Sequence, residues 1–334
     1  MIRIVNYTDV DSAKWMALVK ASSTTTWFQT QEAYCFFDSL SFMEAFAVAV
    51  ESESGLKGVV VGYIQKDGGQ MKRFLSRRAI IAGGPLLSDD ITDDELRALL
   101  NALKAKLKRR AIYIETRNFN DYSRWNKVFE ECGFAYEPHY DVIVDTSSMD
   151  VVNSKLDRNR KRNIKKAVDN GIEIDKNPNE EDVHNFYSLL KELYKTKVKT
   201  PICPYEFFEK LRKLPFSLFC IAKDETGKVV GGLLCVTFPG KAVYAWYACG
   251  EDEKYKKLSP SVMSNYAGIC HAAENGFPRF DFMGAGKPED GGYGVRDFKL
   301  KFGGELVEYG RYKYVANHFL YRLGEIGVKV LKKL

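Results

Sequence analysis

The chain has 334 residues, 45% of them hydrophobic and 13% aromatic, a size that favours two domains with cores of their own. Charged residues make up 28% and the formal net charge is +6, which allows an anionic partner without demanding one. Seven cysteines without a C-x-x-C pair argue against a disulfide framework, and four histidines without ligand spacing argue against zinc; neither a metal nor a cofactor is expected. The opening MIRIVNYTDVDSAKW lacks a signal-peptide core, and no apolar run reaches the ~20 residues of a membrane span. A cytoplasmic protein is therefore expected, with peripheral contact at the inner membrane surface left open.

In chain order, MEAFAVAVES and LKGVVVGYIQ read as strands, with KDGG as the turn after the second. MKRFLSRRAIIAGGPLL continues as strand until Gly83-Gly84-Pro85 breaks it. SDDITDDELRALLNALKAKLKRR is a helix with acids at its start and bases at its end, as the helix dipole prefers. AIYIETRNF is a buried strand, DYSRWNKVFEECGF a short helix stopped by Gly133, and HYDVIVDT another strand. Composition then shifts: KLDRNRKRNIKK, residues 155–166, holds seven bases and one acid and reads as one helix.

Beyond it the alternation restarts. EEDVHNFYSLLKELYKTK and PYEFFEKLRKL are helices; FSLFCIAKD, KVVGGLLCVTF and KAVYAWYACG are strands. SPSVMSNYAGICHAAENG is a helix that Ser259 can cap, with Pro260 in its first turn. FPRFDFMG is a strand, and the terminal helix carries an apolar stripe of Val315, Phe319, Leu323, Ile326 and Val330. The repeated order predicts an α/β (α+β) chain made by duplication of one unit. The expected division is residues 1–150, a basic connector at 151–176, and 177–334.

Three stretches invite a chemical reading. Lys155, Arg158, Arg162, Lys165 and Lys166 form a basic stripe at helical spacing, with Leu156, Ile164, Ala167 and Val168 on another side. The stripe is either a solvated face or a surface for a polyanion such as RNA or a lipid head. Lys256, Lys257 and Ser259 precede the free amides of a helix start, a ready anion site, although the glycine-rich pyrophosphate turn of coenzyme A enzymes does not occur there. GAGK at 284–287 is only a turn, because Asp281 and Pro288 stand where a P-loop needs Gly and Ser or Thr. No nucleophile elbow is present.

Four segments together resemble one family: DRNRKRNIKKAVDNGIEI, FYSLLKELYKTK, SPSVMSNYAGICHAAENGFPRFDFMG and GVRDFKLKFGGELVEYGRYKYVANHFLYRL. They look like the Fem family, the aminoacyl-tRNA-dependent transferases that add bridge amino acids to peptidoglycan precursors. The likeness runs from about residue 150 to the end and is weaker before. It implies two tandem GNAT-like units, each a mixed twisted sheet flanked by helices, with central strands that splay. The long coiled-coil arm of some members has no counterpart.

The resemblance also assigns roles. The Lys of the family's F-K-x-x-F-G motif maps to Lys299, beside Phe298, where an amine attacks an activated carbonyl. A fixed cation there would stabilise the alkoxide. Arg296 falls with the substrate-binding residues. A basic residue after the helix LLKELYKTKVK, here Lys199, would meet a nucleotide diphosphate, and Tyr247 corresponds to a substrate-side tyrosine. Periodicity leaves residues 295–302 open between helix and strand, and a pocket lysine is expected to contribute little to folding. One departure is the stretch after Gln31, EAYCFFDSL, which lacks the family's base for precursor phosphates.

The expected function is amide formation on an amine of a nucleotide- or lipid-linked muropeptide or glycan precursor, with aminoacyl-tRNA as donor. Two rivals stand beside it: an acyl-CoA-dependent N-acyltransferase of amino sugars, and a non-catalytic RNA- or membrane-associated scaffold.

Overall fold

The computed structural model describes residues 1–65, 77–290 and 294–333. Two units divide the chain: Met1–His139 with Glu308–Leu334, and Tyr140–Val307.

The first unit begins with β1 (Arg3–Asn6), α1 (Ser12–Ala21) and α2 (Gln31–Ser39). β2 (Met43–Ser52), β3 (Gly55–Gln65), β4 (Arg78–Gly83) and β5 (Leu86–Leu87) follow. Then come α3 (Asp93–Leu107), β6 (Tyr113–Asn118), α4 (Asn126–Glu131) and β7 (Ala135–Glu137). The expected turn at 66–69 and the part of the expected strand at 71–76 lie outside the described residues.

The second unit holds β8 (Tyr140–Asp145), α5 (Met149–Lys155), α6 (Arg158–Asp169) and β9 (Glu173–Asp175). α7 (Glu180–Leu193) runs into a π-turn at Tyr194–Val198, followed by α8 (Tyr205–Arg212). β10 (Ser217–Lys223), β11 (Val229–Phe238), β12 (Ala242–Gly250), α9 (Pro260–Glu274) and β13 (Arg279–Asp281) come next. α10 (Gly294–Leu300) and β14 (Glu305–Glu308) complete it. β15 (Arg311–Val315) and α11 (His318–Lys333) return to the first unit.

The first sheet runs β1-β2-β3-β4-β6-β15-β7, with β5 beside β3; the second runs β9-β10-β11-β12-β13-β8-β14. The order is the same in both, so the duplication is real at the level of topology. Each sheet borrows one strand across the midpoint of the chain. β8 follows the first unit in sequence but pairs with β13, and β15 follows the second but pairs with β6 and β7. This exchange corrects the expected boundaries. The basic segment 151–176 lies within the second unit rather than between units, and residues 308–334 belong to the first.

Local physics accounts for the elements. Thr92 and Glu95 form a capping box at the start of α3. Its Leu96, Leu99, Leu100, Leu103 and Leu107 are buried on the side that packs against β2 and β3, at roughly 2 kcal/mol for each side chain. In the second unit α9 lies close on the sheet because Gly268 carries no side chain; a Cβ there would stand 2.5 Å from Leu233. The expected single basic helix is broken: α5 ends at Lys155, and Asp157 accepts from Asn159 N and Arg160 N to start α6. The carboxylate that interrupts the run of bases is what begins the second helix. On α11, Phe319, Leu323 and Ile326 are exposed, while the side chain of Val330 lies outside the described residues. Among the described residues, no helix is long and apolar enough to cross a membrane.

The two sheets differ at their centres. β4 and β6 run parallel and stay in register over six residue pairs, from Arg78↔Tyr113 to Gly83↔Asn118. β12 and β13 also run parallel, but they pair only at Val243↔Phe280 and Tyr244↔Asp281. β12 then continues alone on that side to Gly250, with Trp246 as the extra residue of a bulge opposite β11. The expected splay is thus a feature of the second unit, at the end of β13.

Candidate active site

The loop leaving β13, residues 282–286, is held in left-handed turns: Met283 has φ 55°, Gly284 124° and Gly286 81°. A non-glycine residue there needs fixed partners to stay, and four side chains supply them. Asp281 accepts from Met283 N at 2.8 Å. Asp141, on β8, accepts from Gly284 N at 2.8 Å and Val142 N at 2.6 Å. Lys299, on α10, donates to Phe282 O at 3.0 Å and Gly284 O at 2.6 Å. Arg296, one turn earlier, donates to Ala285 O and Lys287 O and covers the Tyr140 ring at 4.7 Å. Residues 294–300 are helix, which closes the alternative left open by periodicity; 291–293 of the same motif lie outside the described residues.

The electrostatics of this loop centre on two carboxylates. Asp141 and Asp281 are buried side by side. Burial, and then the neighbouring Asp281, push Asp141 well above the usual carboxylate range; burial raises Asp281 as well. Arg279 pairs with Asp281 at 3.2 Å. Asp141 Oδ2 is enclosed and accepts no N–H, so a proton there faces Asp281. Two adjacent buried carboxyls raised in this way titrate as a pair. Burial lowers the Lys299 ammonium and the two carboxylates raise it. Burial outweighs the carboxylates, so the Lys299 ammonium lies below its ordinary value.

The aromatics around the motif serve a different cation from the expected one. Phe298 and Phe302, packed edge to face, both adjoin Arg160, whose guanidinium stands 4.5 and 4.4 Å from the two rings and donates to Phe298 O at 2.9 Å. Arg160 is 5% exposed, and burial brings it down to about 10. The basic stripe gave no hint of this, yet a signal existed. Arg160 stands four residues after Leu156 and four before Ile164, on the apolar face rather than the basic one. Asp141, Asp281 and Arg279 were also missed, although Arg279 and Asp281 lie in the FPRFDFMG words of the family resemblance.

The other expected residues fall into three groups. Tyr247 is half-buried on β12 just past the bulge, with its ring centroid 5.0 Å from Phe208 and 6.0 Å from Tyr194. Lys199 is exposed at the end of the π-turn, with φ 53° and its backbone N–H donating to Tyr194 O. Tyr194 therefore neighbours both. Of the basic residues, Arg158, Arg162, Lys165 and Lys166 are exposed on α6, whereas Lys155 ends α5 and pairs with Asp145 at 3.0 Å. Lys256 and Lys257 are exposed before α9.

The start of α9 overturns one expectation. Ser259 has φ 44° and its side chain caps nothing. Asp252 fills that place instead, accepting from Ser261 N at 3.2 Å and from the Ser261 hydroxyl. β12 reaches this turn so closely that a Cβ on Gly250 would lie 2.5 Å from Ser261 N. One helix amide that would receive a pyrophosphate, Ser261 N, meets a carboxylate of the same chain.

Comparison with known proteins agrees with the fold. Residues 154–300 match the family described as an acetyltransferase (GNAT) domain. The solved structure of FemX is similar over 96% of this chain and 99% of its own, with a TM-score of 0.72 at 16% identity. The structure of L-PGS from Bacillus licheniformis covers 96% and 97%, with a TM-score of 0.59 at 14% identity. A tandem GNAT protein from the clavulanic acid biosynthesis pathway covers 95% and 99%, with a TM-score of 0.60 at 11% identity. Among curated proteins none matches. The exchanged, duplicated sheets and these likenesses lead to one conclusion: the chain has the tandem GNAT fold seen in FemX, and residues 154–300 of its second unit match an acetyltransferase (GNAT) domain.

Proposed function

We propose that the second unit transfers an aminoacyl group from aminoacyl-tRNA to an amine of a nucleotide- or lipid-linked cell-wall precursor. The observation that carries this reading is the Lys299 ammonium, enclosed against the loop that leaves β13 and beside the carboxylates of Asp141 and Asp281. The acceptor amine attacks the ester carbonyl of the donor and a tetrahedral alkoxide forms. Two of the three Lys299 N–H groups are engaged by Phe282 O and Gly284 O, and the third is left for the alkoxide. Collapse breaks the ester C–O bond, forms the amide, and returns the amine's proton to the departing ribose hydroxyl. Arg296 and Arg160 act by fixing α10 and its loop. Tyr247 and Lys199, grouped about Tyr194, form an aromatic and basic surface suited to a sugar–phosphate acceptor.

The filled start of α9 favours an ester donor over a thioester of coenzyme A. A pyrophosphate would meet the Asp252 carboxylate instead of free amides, and Lys256 and Lys257 stand beside that turn without an anion seat to serve. The test is a transfer assay with purified protein, a UDP-linked muropeptide, and either charged tRNA or acetyl-CoA. Amide product is expected with charged tRNA alone; product from acetyl-CoA alone would overturn the reading.

A second expected result concerns RNA. Arg158, Arg162 and Lys165 face solvent on α6, so replacing all three with Gln should weaken tRNA binding and flatten log Kd against log salt by about two to three. Filter binding between 50 and 200 mM salt measures this. An unchanged slope would make α6 a solvated face only.

A further inference from the structure

The first unit carries a charged cluster that the transfer chemistry does not use. Successive residues of a strand point to opposite faces. On β6, Ile114 enters the core while Glu115 and Arg117 share the other face; on β15, Tyr312 enters the core while Arg311 and Lys313 share it. Two guanidinium groups converge on one oxygen: Arg117 Nε stands 2.8 Å and Arg311 NH1 3.3 Å from Glu115 Oε1. Lys313 lies 3.8 Å from Glu115 Oε2 and donates to Glu137 at 2.6 Å. Arg311 also meets His139 Nε2 at 2.9 Å.

Among the described residues three cations thus meet two carboxylates; Glu115 and Glu137 hold Arg117 and Lys313 above their ordinary values, and Arg311 is the one left short. Arg311 Nε is enclosed without a partner. Burial and the like charge of Arg117 hold Arg311 below its ordinary value. Burial opposes ionisation of Glu115, yet the flanking Arg117 and Arg311 draw it down to about 2. The cluster is reachable, because the Arg117 side chain keeps 36% of its surface while Glu115 beneath it keeps 7%.

Its place in the fold is a second observation. β6 and β15 occupy the fifth and sixth positions of the first sheet; β13 and β8 occupy the same positions of the second. Those strands of the second unit carry Arg279, Asp281 and Asp141. The duplicated fold has therefore placed a buried ionisable cluster at one sheet position twice, acid-rich with Lys299 in one unit and base-rich in the other.

We propose that the Arg117–Arg311–Lys313 face of the first sheet is a binding site for a small oxyanion, a carboxylate or phosphate group that receives N–H bonds from both guanidinium groups. Two converging forks with one unbalanced positive charge match an oxygen pair bearing negative charge. The site stands independently of the transfer reaction proposed for the second unit.

Titration calorimetry of the full chain with inorganic phosphate and, separately, N-acetylglycine tests it and distinguishes the two sources. Saturable binding of one or both is expected, weakened at least 10-fold in Arg117→Gln and in Arg311→Gln. Arg97→Gln, which removes a surface pair with Asp94 and Glu131 on α3 and α4, should change nothing. Phenylglyoxal labelling of the unmodified protein, read by mass spectrometry, serves if either variant fails to fold: the bound probe should protect Arg117 and Arg311 but not Arg97. The proposal is overturned if neither probe binds with a Kd below about 10 mM, if folded variants bind as the wild type does, or if neither arginine is protected.

Discussion

Lys299→Met should lower kcat by roughly 100-fold or more with little change in KM, because the charge that Lys299 meets exists only in the transition state. The methionine keeps the stem and removes the ammonium. Its structural cost is larger than sequence alone suggested. The ammonium bonds Phe282 O and Gly284 O and balances the Asp141–Asp281 pair, so removing it leaves two carbonyls without a donor beside buried acid. A loss of about 3 kcal/mol of stability is expected. Turnover must therefore be compared well below the unfolding transition of the variant, with its folded fraction measured. Lys301→Met is the control: Lys301 is exposed on the same segment and should leave both quantities nearly unchanged. A folded Lys299→Met protein with normal kcat, or one defective only in KM, would remove Lys299 from the chemistry and leave it as a brace for the 282–286 loop.

Much of this was legible in the sequence, for reasons that can be named. α3, with its capping box and clear apolar face, stood where periodicity put it. The duplicated order was visible because each unit repeats hairpin, helix and strand. Strand exchange was not, because nothing local in HYDVIVDT or GRYKY says which sheet will take it; pairing is a long-range choice. Lys299 was found through a motif. Its partners were missed because Asp141 lies 158 positions away and joins it only through β8. Asp252 escaped notice for a related reason. The cap of α9 comes from nine residues before Ser261, across a loop, whereas the usual rule looks only at the residue next to the helix.

The carboxylate pair makes the last expectation, and its sign is the reverse of ordinary acid behaviour. A carboxyl whose folded value is raised binds its proton more tightly in the folded state. Stability is then full below the ordinary value near 3.8 and falls as pH rises toward the folded value. Glu115 and Asp145, both drawn down to about 2, act in the other direction and in a lower window: their contribution is present above the ordinary range and lost as pH falls toward 2. Wild-type stability should therefore climb on leaving strong acid and then decline above about pH 5 as the pair is forced to ionise. Asp141→Asn imitates the protonated member. Its amide oxygen still accepts from Gly284 N and Val142 N, and its NH2 takes the place of the protonated oxygen as a donor. Measured by urea unfolding from pH 4 to 8, the variant should match the wild type at the acid end and gain on it with rising pH, by up to about 1.4 kcal/mol per unit. The difference isolates the pair, since all other titrating groups are common to both chains. Asp281→Asn should not reproduce the gain, because Asp281 must stay a carboxylate to hold Arg279. A difference that stays flat across this range would mean that the two acids ionise as ordinary carboxylates. Lys299 would then face two negative charges rather than one, and its cation would be too strongly paired to serve an alkoxide.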